Sequence, residues 1–223
     1  MTLSRLAATA VATAALCCAG AAHAAETWSL VGDYAPASNP NGPWTYGQLI
    51  DGRQDQFSAL AWHAATASYG IAASGQVFIY RNNGAVTDFG IAPGQVSLES
   101  DWGHAAVQWT APKAGDYRVV VELGGTLVGG PGGYGNNFAQ HGGVAVDGSK
   151  QGEISFINNV KQWDFTVSLA AGSTVLTYVL NPGFANGGNT QTQITVSAVP
   201  EPASALMLAV GLGGLVAWRR RRA

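Results

Sequence analysis

Along the middle of this 223-residue chain, apolar and polar positions alternate with a period of two far more often than they repeat at helical spacing. That is the signature of strands with one face buried. The pattern predicts strands at Trp28–Val31, Phe57–Trp62, Gln76–Tyr80 and Ala105–Trp109. It continues through Tyr117–Leu123, Gly143–Val146, Glu153–Ile157, Asp164–Leu169, Thr174–Leu180 and Gln193–Ala198. Tyr117–Leu123 alternates well, with Tyr117, Val119, Val121 and Leu123 on one face and Arg118, Val120 and Glu122 on the other. Turn residues punctuate the runs: Asn39-Pro40-Asn41-Gly42-Pro43, Asn82-Asn83-Gly84, Ala111-Pro112 and Asp147-Gly148. Short strands at this spacing predict an all-β domain, an antiparallel sandwich or barrel.

Two stretches break the rhythm. Gly124–Gly143 holds nine glycines in twenty residues, and Asn181–Asn189 reads Asn-Pro-Gly-Phe-Ala-Asn-Gly-Gly-Asn. Glycine at this density is not expected inside strands, so both stretches are predicted loops at a sheet end. Such loops are either binding surfaces or mobile spacers, and the sequence leaves the two readings open.

The two ends of the chain differ from the middle. Met1–Ala24 has a basic start at Arg5, an apolar run from Leu6 to Ala22 and the small-residue site Ala22-His23-Ala24. It reads as a secretory signal peptide cut between Ala24 and Ala25. At the other end, Pro200-Glu201-Pro202 precedes Ala203–Trp218, a run without a charged side chain, and then Arg219, Arg220, Arg221 and Arg222. The prolines fix φ and lack backbone donors, so the triplet is expected to stay extended. As a helix the apolar run would reach roughly 24 Å, short against a hydrocarbon core of about 30 Å. The arginines act as a stop-transfer signal and predict a cytoplasmic tail, with everything before it exported.

This order of parts closely resembles the PEP-CTERM sorting signal of Gram-negative bacteria, carried here by Val199-Pro200-Glu201-Pro202, the apolar run and the arginines. The resemblance implies that an exosortase, a membrane-embedded cysteine protease or transpeptidase, processes the chain at the motif. Pro200, Glu201 and Pro202 would then be a recognition site for another enzyme. A second resemblance lies in the domain. Val107–Val119, Gly143–Gly148 and Ser168–Val175 are similar to hairpins of exported jelly-roll domains related to carbohydrate-binding modules, and Asn39–Gly47 is similar to the start of domains found ahead of PEP-CTERM tails. The fold this implies is a jelly-roll-like β-sandwich spanning residues 25–198, flanked by a signal peptide (1–24) and a sorting segment (199–223) with a transmembrane helix at 203–218.

Charge and cysteine usage narrow the function classes. Residues 25–200 carry six basic side chains against twelve acidic ones, a net of −6 that the whole-chain value of −2 conceals. An acidic domain repels phosphates, so nucleic acid is not an expected partner. Both cysteines, Cys17 and Cys18, fall in the signal peptide, which leaves the exported body without disulfides and dependent on packing. Leu16 stands where a lipobox wants a small residue, so lipidation is the poorer reading.

For the body's own activity the candidates are aromatic. Trp44, Tyr46, Trp62, Trp102 and Tyr134 could stack on sugar rings, and Trp44, Tyr46 and Trp102 follow turn clusters, where exposure is expected. Trp28, Trp109 and Trp163 sit at strand positions and read as core. Asp51, Asp55, Glu99 and Asp101 come nearest to a calcium cluster, yet no EF-hand spacing is present and no metal is assigned. His63, His104 and His141 lie in no zinc-protease pattern, and the Glu99–His104 stretch reads more readily as a polar turn than as an acid–base site. There is no G-x-S-x-G elbow, no P-loop and no mature cysteine nucleophile. A spatial pair of carboxylates for glycoside hydrolysis leaves no fixed spacing. The expectation is therefore a non-enzymatic envelope or exopolysaccharide-matrix protein without a cofactor. Its expected partners are signal peptidase, exosortase and the inner membrane. A carbohydrate-binding module on extracellular polysaccharide is the alternative, and a small polysaccharide hydrolase comes third.

Overall fold

The computed structural model describes residues 25–71, 77–100, 103–125, 140–156, 160–180 and 189–200. The signal peptide 1–24, the apolar run 203–218 and Arg219–Arg222 lie outside them, and among the described residues no helix is long and apolar enough to cross a membrane.

Residues 27–198 form one unit built on two antiparallel sheets. Its strands, in chain order, are β1 (Thr27–Ser29), β2 (Trp44–Leu49), β3 (Phe57–Ala59), β4 (Trp62–His63), β5 (Ser68–Tyr69), β6 (Phe78–Arg81) and β7 (Val96–Glu99). They continue as β8 (His104–Thr110), β9 (Gly115–Gly125), β10 (Gln140–Val146), β11 (Ser149–Phe156), β12 (Val160–Leu169), β13 (Thr174–Leu180) and β14 (Asn189–Ala198). An eight-stranded sheet runs β12-β9-β14-β7-β6-β5-β4, with β1 also paired to β14; a six-stranded sheet runs β11-β10-β13-β8-β2-β3. The chain is thus the antiparallel β-sandwich that the period-two pattern predicts.

The chain crosses between the sheets repeatedly from β7 onward, and the alternating residues of both meet in one interior. The six-stranded sheet contributes Trp44, Tyr46, Val107, Trp109, Val144, Val175 and Val179; the other contributes Ile79, Leu98, Tyr117, Val119, Val121, Leu123, Ile194 and Val196. Each such side chain stabilises the fold by about 1.5–3 kcal/mol through removal from water. Aromatic rings fill the volume: Trp109 lies 5.1 Å from Tyr117 and 5.2 Å from Trp28 between ring centroids.

Where the sequence reading differs from the structure, the reason is local. The predicted strand at Trp28–Val31 stops at Ser29, whose Oγ accepts from Gly32 N at 3.2 Å and caps a one-turn helix, α1 (Leu30–Asp33). Phe57–Trp62 is two strands, β3 in the six-stranded sheet and β4 in the other. Strands β5 and β7, absent from the sequence reading, hold only two and four residues. Glycine does enter strands: Gly124, Gly125, Gly142 and Gly143 all belong to β9 or β10. The Asp147-Gly148 turn is as expected, with both residues at positive φ (45° and 76°), the conformation a two-residue hairpin needs.

Candidate functional site

Trp44 and Tyr46 are fully buried, which corrects the expectation that they are exposed platforms. Their spacing of two puts both on one face of β2, and the register Trp44↔Trp109 turns that face inward. Trp44 donates its indole N–H to Asp33 Oδ2 at 3.0 Å. Tyr46 stacks on Tyr69, with centroids 4.4 Å apart and planes 12° from parallel, and Tyr34 meets both rings edge-on. Asn39, in the turn cluster expected to expose them, anchors the segment to the core edge. It donates to the carbonyls of Tyr46 and Leu60, both at 2.7 Å, and accepts from Tyr46 N at 2.9 Å. Burial pushes the hydroxyls of Tyr34 and Tyr46 well above the ordinary tyrosine range. Trp62 is half-buried and edge-on to Tyr69, while Trp102 and Tyr134 lie outside the described residues. Trp109 is core as expected, whereas Trp28 and Trp163, also expected in the core, are only partly buried and pack against the core cluster.

The acidic candidates do not assemble. Asp55 is bridged to Arg53 at 2.8 and 3.1 Å, which holds its carboxyl below the usual range, and Glu99 is buried in β7. Asp101 lies outside the described residues, and among those described no three His, Cys, Asp or Glu side chains could share a metal ion. His104 is half-buried, with Nε2 3.4 Å from where a side chain at Gly52 would begin; burial lowers its pKa.

A feature the sequence reading missed lies on the outer face of the six-stranded sheet. Leu49, Ala106, Ala145, Leu176 and Tyr178 form a second buried cluster, with Phe57 and Leu180 packed against it. They alternate with the inward Val107, Val144, Val175 and Val179, so this sheet is apolar on both faces. Tyr178 lies over Gly143, where an added Cβ would stand 2.9 Å from its ring carbon and 2.7 Å from its hydroxyl. That hydroxyl donates to Glu153 Oε2 at 2.8 Å, and Lys150 Nζ reaches the same oxygen at 2.8 Å. For Glu153, burial acts to raise the pKa, but the bonds from Lys150 and Tyr178 outweigh it and the net shift is downward. A carboxylate held ionised in this way accepts hydrogen bonds; it is poorly suited to act as a general acid at neutral pH. The signal was present in Thr-Val-Leu-Thr-Tyr-Val-Leu at β13, apolar at both parities, which marks a strand covered on both sides.

The third feature is the place where the chain leaves the body. Strand β14 pairs with β9 through Ala198↔Tyr117, and on its other edge with β1 through Thr27↔Ser197. Both chain ends therefore depart from one end of one sheet. Ala25, Val199 and Pro200 are exposed there, while Ala24, Glu201 and Pro202 lie outside the described residues. Residues 198–222 match the model of the PEP-CTERM protein-sorting motif. The chain ends in a sorting signal. The PEP-CTERM motif marks an exported protein sorted through an exosortase, and it begins on the last residue of β14.

No curated protein matches the chain. Among solved structures, a family 35 carbohydrate-binding module from Clostridium thermocellum is similar at 19% identity and a TM-score of 0.32, over 55% of this chain and 87% of its own. Rabbit GITRL is similar at 7% identity and a TM-score of 0.32, over 44% and 73%. The C-terminal CBM6 of LamC from Zobellia galactanivorans is similar at 13% identity and a TM-score of 0.27, over 46% and 79%.

Proposed function

We propose that this is a non-enzymatic protein of the bacterial cell envelope or extracellular matrix. Signal peptidase removes residues 1–24, the apolar run 203–218 holds the chain in the inner membrane with Arg219–Arg222 on the cytoplasmic side, and exosortase then processes the tail. The observation that carries this reading is the PEP-CTERM motif at residues 198–222, directly at the end of the β body Thr27–Ala198. The burial of Trp44 and Tyr46 supports a structural role for the best sequence candidates for sugar contact and removes them from the alternative, binding of exopolysaccharide.

The test is the intact mass of the protein purified from its host. The expected product begins at Ala25 and lacks the apolar tail, whereas Pro200→Ala with Glu201→Ala is exported with the tail attached. Identical processing of the double variant and the wild type would overturn the role given to the motif. Retention of the folded body on the host's polysaccharide would replace the structural reading with the binding one.

A further inference from the structure

We propose that the folded body itself sets the limit of tail processing, because the strand that leads into the motif is committed to its sheet up to the motif's first residue. The inference rests on the exosortase reading above. Strand β14 is an interior strand, hydrogen-bonded on both edges. Ile194, Val196 and Ala198 pair with Val121, Val119 and Tyr117 of β9; Thr195, Val196 and Ser197 pair with Ser29, Trp28 and Thr27 of β1. Ile194 and Val196 are also buried in the core. A peptidase that binds its substrate as an extended strand needs free backbone N–H and C=O groups. At its end β14 is paired on both edges through Ser197 and with β9 at Ala198.

Beyond Ala198 the situation reverses. Val199 and Pro200 are exposed and belong to no strand, and Pro200 has no N–H to offer a ladder. Only Val199 to Pro202 separates the last paired residue from the apolar run, a span of at most about 14 Å when fully extended. An enzyme gripping Pro200-Glu201-Pro202 has one free residue on the body side before it reaches the sheet. The surface it meets there is polar. Thr27 Oγ1 and Ser197 Oγ lie 3.1 Å apart, and Ser168 hydrogen-bonds Asp116 where β12 and β9 pair. The cut must therefore fall after Ala198, which leaves β14 complete and the two-sided pairing of the mature body intact.

The experiment is pulse–chase in the host with intact-mass readout on two proteins. They are the wild type and a variant with a Gly-Ser-Gly-Ser-Gly-Ser insertion between Ala198 and Val199. The wild-type product is expected to end at Ala198 or later. The insertion moves the sheet away from the motif, so the tail should be removed at the same bond several-fold faster. A wild-type product ending before Ala198 would overturn the inference while leaving exosortase processing intact, and so would an insertion variant processed no faster than wild type. Absence of tail removal in both proteins would instead sink the exosortase reading, and this inference with it.

Discussion

The six-stranded sheet buries both of its faces, but by different means. Its inner face packs against the other sheet with large rings: Trp44, Tyr46, which stacks on Tyr69, and Trp109, which meets Tyr117. Its outer face uses small residues under one large ring, with Ala106 and Ala145 flat, Tyr178 laid over Gly143 and Phe57 over Gly47. The interior gains its stability from volume filled between two layers. The outer cluster depends on the absence of side chains, since a ring lies flat on a strand only where a glycine leaves room. Mutations should therefore act in opposite directions: removal of atoms hurts the inside and addition of atoms hurts the outside.

The largest effect is expected inside. Trp109→Ala removes a fully buried indole that touches Trp28 and Tyr117, and should cost about 3–5 kcal/mol. Urea denaturation of the exported body measures it. A loss below about 1 kcal/mol would mean that the two sheets are not held together by these rings. On the outer face, Gly143→Ala adds one methyl group. It would stand 2.4 Å from the Gly152 carbonyl oxygen and 2.7 Å from the Tyr178 hydroxyl. Backbone on a paired strand cannot withdraw cheaply, so the cost should be about 1–3 kcal/mol. A neutral or stabilising result would show that Tyr178 does not lie over Gly143.

Much of this architecture was readable from the chain. The alternation at Tyr117–Leu123 and the Asp147-Gly148 turn correspond to β9 and the β10–β11 hairpin because both are local: period and turn type are fixed by neighbouring residues. Trp44 and Tyr46 were misjudged because their burial depends on pairing with Trp109 and Val107, some sixty residues on. Nothing in Asn39–Gly47 alone encodes that register. Gly142 reads as loop, and Gly143 only as the point where loop gives way to strand, because a glycine-rich stretch offers no periodicity. Their place in β10 is fixed by Tyr178 on a strand more than thirty residues away. The sorting motif was legible for the opposite reason, since its information lies in the linear order of Pro-Glu-Pro, apolar run and arginines. That the motif begins where a doubly paired strand ends was not legible, because β1 and β14 meet across 170 residues.

The smallest effect sharpens the comparison by separating packing from polar chemistry on the outer face. Tyr178→Phe keeps the ring over Gly143 and deletes only the hydroxyl that bonds Glu153 Oε2. At neutral pH the loss should be about 1.5 kcal/mol, the low end for a hydrogen bond to a charged group, because this bond is only part-buried. The pH dependence identifies its source. Burial first, and then the Glu153 carboxylate, raise the Tyr178 pKa above its ordinary value near 10. The unfolded chain therefore gives up this proton at lower pH than the folded one, so the contribution is complete below about pH 10 and is lost as pH rises beyond it. Glu153 works in the other direction. Its folded pKa is depressed, so its contribution is present above roughly pH 4.3 and is lost as pH falls through the folded value. Tyr178→Phe should thus remove one component of the alkaline fall in stability. It should also weaken the acid-side dependence, because Glu153 keeps its bond from Lys150 but loses the one from Tyr178. Stability profiles of both proteins from pH 3 to 11 test this. Parallel curves across the whole range would show that the hydroxyl and the carboxylate do not interact, and that the ring alone accounts for the outer cluster.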